Sequence, residues 1–171
     1  MKKVVLGISV ALCTFFAQSS NAEMYNLGPA STGQPIILDG SSVSMNGRNS
    51  ASAWVGFTYY LGRTRFAADA HCGKGEWYSG GSTHKPQSQA TRNMLSIVCS
   101  ARWRDQDAED TGYMLVFDPP SNVRDRPNGS VTFTVTAMIV IPVYPESQNG
   151  WFSTTSFGGG WIHESQLRPF Y

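Results

Sequence analysis

The chain has 171 residues, of which 13 are Lys or Arg, 12 are Asp or Glu and 41% are hydrophobic. That balance gives no basic nucleic-acid footprint. With 12% aromatic residues, 17 glycines and 9 prolines, the composition favours short strands and turns over long helices.

At the N-terminus, Lys2 and Lys3 precede an apolar run from Val4 to Phe16, and a short polar stretch ends in Ser20-Asn21-Ala22. This is the pattern of a secretory signal peptide over 1–22, with cleavage expected after Ala22. The run is shorter than the roughly 20 apolar residues that span a bilayer, and no later run is long enough, so the mature chain is expected to carry no transmembrane anchor. Removing Lys2 and Lys3 leaves 11 basic side chains against 12 acidic ones, a formal charge of −1. The expected location is periplasmic or secreted. Cys13 follows Leu12, a residue too bulky for a lipoprotein cleavage site, so only Cys72 and Cys99 remain after processing. An even pair in an exported chain predicts a disulfide. The alternative, a nucleophile made of Cys72 and His71, fails on geometry, because neighbours on a strand point to opposite faces.

From Glu23 to Ser52 the chain is rich in Gly and Ser around one apolar stretch, Ile36-Ile37-Leu38. Asn46-Gly47 predicts a hairpin turn, with a strand before it near Val43 and another from about Ala53. The aromatic and β-branched segment from Ala53 to Leu61 reads as a strand, and Arg65 to Cys72 as its antiparallel neighbour. Trp77-Tyr78, the Gly80-Gly81 break and a polar loop follow. Ala90, Met94, Leu95, Val98 and Cys99 recur near helical spacing, which predicts a helix starting near Ser88 with that serine as its cap. Asp105 to Asp110 is an acidic surface loop without the ligand spacing of a calcium loop, and it marks the expected boundary between an α+β region over 23–110 and a C-terminal domain over 115–171.

In the C-terminal part, Asp118-Pro119-Pro120 imposes an extended, turn-rich start, after which Val123 enters a core and Arg124 faces the edge. Pro127-Asn128-Gly129 is a tight turn. Val131, Phe133 and Val135 alternate with threonines, the signature of a strand buried on one face, and Ile139, Ile141 and Val143 continue the alternation. Trp151 to Thr154 and Trp161 to His163 are short strands separated by the Gly158-Gly159-Gly160 turn. Five short strands in sixty residues predict a small closed or nearly closed barrel.

The succession Pro120-Ser121-Asn122-Val123-Arg124, Pro127-Asn128-Gly129, Asn149-Gly150-Trp151-Phe152 and Gly160-Trp161-Ile162-His163 resembles the bacterial SH3-like domain family over about 115–171. Pro142 inside a strand and the Gly-rich turn at 158–160 depart from the family's commonest form. The resemblance implies a non-catalytic binding module for a cell-wall polymer such as peptidoglycan, or for another envelope component. Its groove then draws on Tyr144, Trp151, Phe152 and Trp161, each of which serves equally well as core, and on Arg124, which can pair with a ligand carboxylate or tie its own turn. The N-terminal part is similar, more loosely, to a protein E-like surface-adhesin family of Gram-negative bacteria, through Val43, Asn46-Gly47, a Trp54 strand, Cys72 and a helical Ser88 to Ser100 ending near Cys99. That likeness implies a disulfide-linked α+β unit and an alternative role in adhesion or protein interaction. The expected fold class is therefore mainly β with a minor helix. No zinc spacing, nucleophile elbow or phosphate loop occurs, and no enzyme activity, cofactor or metal is expected.

Overall fold

A computed structural model describes residues 23–46, 54–101 and 112–170. The predicted leader, the Gly47 turn position and the acidic 105–110 loop lie outside the described residues.

Six strands form the first sheet: β1 (Met24–Pro29), β2 (Pro35–Asn46), β3 (Trp54–Leu61), β4 (Thr64–His71), β5 (Glu76–Ser79) and β6 (Ser82–His84). Each pairs antiparallel with the next in chain order. The expected strands at Val43, 53–61 and 65–72 are all present, and β2 pairs with β3 up to Asn46 opposite Trp54. The alternation along β3 and β4 puts Val55, Phe57, Tyr59, Ala68 and Ala70 on one face, where all are buried.

That face is covered by α1 (Gln89–Ala101). The helix starts where the serine predicts it: Ser88 Oγ accepts the backbone N–H of Thr91 at 3.2 Å, the bond of an N-cap to the third helical residue. Ala90, Met94, Ile97, Val98 and Ala101 lie on its buried stripe. Cys99, near the helix C-terminus, is bonded to Cys72 just beyond β4, with 5.5 Å between the Cα atoms. The disulfide expected from cysteine count is therefore present, and it removes Cys72 from any nucleophilic role.

Eight further strands follow: β7 (Gly112–Val116), β8 (Ser121–Arg124), β9 (Val131–Val135), β10 (Ile139–Val143), β11 (Ser147–Gln148), β12 (Trp151–Thr154), β13 (Gly160–His163) and β14 (Leu167–Pro169). The expected SH3-like barrel does not form. These strands divide into two open sheets, one of order β10-β7-β14 and one of order β11-β12-β13-β8-β9. The mainly β content with one helix stands as expected; the closed barrel does not.

The physical reason lies in what β7 and β10 bury. Leu115 and its partner Val140 point into the core beneath α1, together with Phe170. Val116, Ile141, Val143 and Leu167 point the other way, into a second core beneath the five-stranded sheet. The three-stranded sheet is thus an inner layer covered on both faces, which is why Ile139 to Val143 reads as an almost unbroken apolar run. The alternation expected for Ile139, Ile141 and Val143 is real, but it omits Val140, which faces the other core. Two contacts tie the layers further: Val140 N–H donates to Ser100 Oγ at 2.8 Å, and the Tyr25 hydroxyl donates to the Pro169 carbonyl.

Candidate functional site

The five residues expected to line a barrel groove do not converge. Register places Trp151 opposite His163, and Trp161 opposite both Ser153 and Arg124, so Trp151, Trp161 and Arg124 share one face of the five-stranded sheet. Phe152 lies on the opposite face, half-buried against the second core. Trp151 is only 9% exposed, flanked by the His163 ring edge at 5.0 Å and the Arg124 guanidinium at 5.9 Å. Arg124 itself donates from Nη1 to the Gly129 carbonyl at 2.6 Å, tying the turn before β9. Tyr144 is exposed, in the segment after β10, with its backbone N–H on the Ser153 carbonyl. With no barrel formed, the barrel reading of function goes with it.

A different surface stands out on β9. Pairing puts Phe133 and Val135 on the face of Val123 and Ser121, while a register shift between Val123 and Arg124 sets Val131 opposite Arg124, on the other face; of the three only Val135 is covered, at 2% exposure. Val131 is 47% exposed and Phe133 43%. The cause is position: β9 is the edge of its sheet, paired to β8 alone, with Val123 opposite Phe133. A bulge at the Arg124 and Val131 pairing twists its start. The ring of Phe157 lies parallel to that of Phe133, with centroids 4.4 Å apart and planes 10° apart. Phe157 holds that position in a left-handed backbone conformation, φ 60° and ψ 28°, which is costly for a side chain of this size.

The other sheet edges of the described residues are guarded. The β1 edge carries a bulge between Asn26 and Gly28 and ends in Pro29. The β6 and β11 edges are three and two residues long. Prolines interrupt β10 at Pro142 and β14 at Pro169. Short strands, bulges and prolines are how sheets avoid unwanted pairing. The β9 edge has neither charge nor proline along it, only its bulge, and it presents Phe133, stacked with Phe157, on one face and Val131 on the other.

Chemistry of other kinds finds little to work with. His163 Nδ1 lies 2.9 Å from Ser165 Oγ, but the same nitrogen accepts the Ser165 backbone N–H, a local turn cap and not a nucleophile held by a base. His84 Nε2 meets the Ser79 carbonyl at 3.1 Å. Among the described residues, no three His, Cys, Asp or Glu side chains cluster to hold a metal, and no helix is long and apolar enough to cross a membrane.

No family model, curated protein or solved structure matches the chain.

The molecule is therefore read from its own surfaces. Sequence reasoning assigns Val131 and Phe133 to a buried face and passes over Phe157. The period-two pattern groups Phe133 with Val135, but neither the register shift that turns Val131 to the other face nor the edge position of β9 leaves a local signal in the sequence.

Proposed function

We propose that this is an exported protein-interaction or adhesion protein of the bacterial surface, working by binding and not by catalysis, and that the β9 edge with Phe157 is its contact for a protein partner. The observation that carries this reading is an exposed ring, Phe133, on the core side of an open edge strand, stacked with the Phe157 ring and with the exposed Val131 close by in the same strand. Exposed aromatic and apolar side chains grouped at one place supply contact area with little loss of side-chain freedom, which is how interfaces concentrate their affinity. An open strand edge adds backbone hydrogen bonds, by which an extended segment of a partner can join the sheet. Export is supported by the charged and apolar pattern of residues 1–22 and by the Cys72–Cys99 bond, since disulfides persist in oxidising compartments.

The test is a crosslinked pull-down from envelope material with the mature protein, residues 23–171, beside a double variant Val131→Lys, Phe133→Lys. Both positions are exposed, so the variant is expected to fold, with a melting temperature lowered by no more than a few degrees. The native protein should capture one abundant, specific protein and the folded variant less than a tenth as much. Equal capture by both, or no specific capture by the native protein, overturns the assignment.

A further inference from the structure

Away from β9, a cavity of about 400 Å³ opens at the end of the six-stranded sheet that α1 leaves uncovered. Its position follows from the disulfide, which anchors the C-terminal end of the helix beside Cys72 and leaves Thr91, in the first turn, on the cavity wall. The β1–β2 turn, the β5–β6 hairpin and the stretch leading into the helix close the remaining sides. The volume falls within the roughly 300–1,000 Å³ of small-molecule sites.

The lining has a definite chemistry. Leu61 and Phe66 are half-buried and give it an apolar floor. The Phe66 ring is fixed against Tyr59, with centroids 5.3 Å apart and planes 17° apart. Behind them, the Trp77 ring stacks on that of His84 at 5.4 Å, while its own indole N–H has no partner. Around the rim stand the polar residues Ser31, Thr32, Ser82 and Lys85, while the Thr83 side chain, paired with Tyr78, lies on the other face of the hairpin. Among the described residues, no Asp or Glu lines the cavity and none forms an ion pair with Lys85.

We infer that this cavity binds a sugar bearing a carboxylate, such as a uronic or sialic acid. A flat aromatic floor suits the C–H face of a pyranose ring, and hydroxyls that both donate and accept suit its hydroxyl groups. A cation without a carboxylate beside it leaves positive charge for an acidic substituent. A cationic ligand would meet Lys85 with no carboxylate beside it among the described lining residues.

Titration of the mature protein with methyl glucuronide, sialic acid and methyl glucoside, followed by saturation-transfer and amide-shift NMR, tests the inference. Both acids should saturate and shift amides around 82–85, with methyl glucoside at least tenfold weaker. Lys85→Gln, at an exposed position, should lower acid affinity at least fivefold and leave the glucoside unchanged. Phe66→Ala should weaken all three, with folding checked by the amide spectrum; Phe66→Tyr should retain binding. No saturable shift with either acid, or equal affinity for acid and neutral sugar, overturns the inference. Neither result bears on the β9 contact.

Discussion

Gly160 shows how a single atom constrains this fold. It begins β13 where that strand crosses β8, and a Cβ placed on it would stand 2.6 Å from Val123 Cγ1 and 2.8 Å from the Arg124 carbonyl oxygen. The second neighbour is backbone and cannot rotate away. Gly160→Ala is expected to destabilise the protein by about 2 kcal/mol, through overpacking at a site with no room to relax. Urea unfolding checks this, as a lower midpoint with an unchanged slope. Arg124, next to the same crossing, is occupied by the Gly129 carbonyl and the Trp151 ring. The bond to Gly129 ties the turn before β9, one of the two roles open to Arg124 in the sequence. Phe157 is the opposite case: its left-handed backbone holds a half-buried ring against the second core and against the exposed ring of Phe133.

At the scale of elements, the helix was the most legible. Its apolar spacing and its serine cap are local properties, and α1 begins one residue after Ser88. Ser88→Ala should cost about 1 kcal/mol, because the Thr91 N–H loses its side-chain acceptor at the end of the helix. A fall of a few degrees in melting temperature is the expected reading, and Ser88→Asp should restore most of it. Strands with strong patterning, β3, β4, β9 and β10, were legible too. The strand β1 was not, since Met24 to Pro29 contains glycine and proline and pairs with β2 only through a bulge. The hairpin of β5 and β6 has too few residues to show a period, although its Gly80-Gly81 break was visible.

For the molecule as a whole, the disulfide joins the far end of the helix to the end of β4 across 27 residues. By the loop-entropy estimate it contributes about 3.5 kcal/mol. The Cys72→Ala, Cys99→Ala double variant should lose a stability of that size in denaturant, without loss of the amide shifts that report β9. The larger core draws Leu115, Val140 and Phe170 from the C-terminal part into contact with residues of the first sheet. Burial of one face of β7 and β10 in this way fixes the three-stranded sheet as a shared layer. This is also why the barrel expectation failed: strand count, turns and alternation suit a barrel and a stack of open sheets equally, and the choice rests on which distant surface each strand covers.

The sequence by itself determined the helix and its cap, the cysteine pair, most strand positions and the mainly β class, because each follows from spacing, turn chemistry or composition within a short window. The tertiary structure alone decided that the C-terminal sheets stay open, that Trp151 is covered, that β9 becomes an edge with Phe157 beside Phe133, and that a cavity remains where α1 stops. Those outcomes depend on sheet order and on contacts between residues far apart in the chain, and such contacts leave no local period to read.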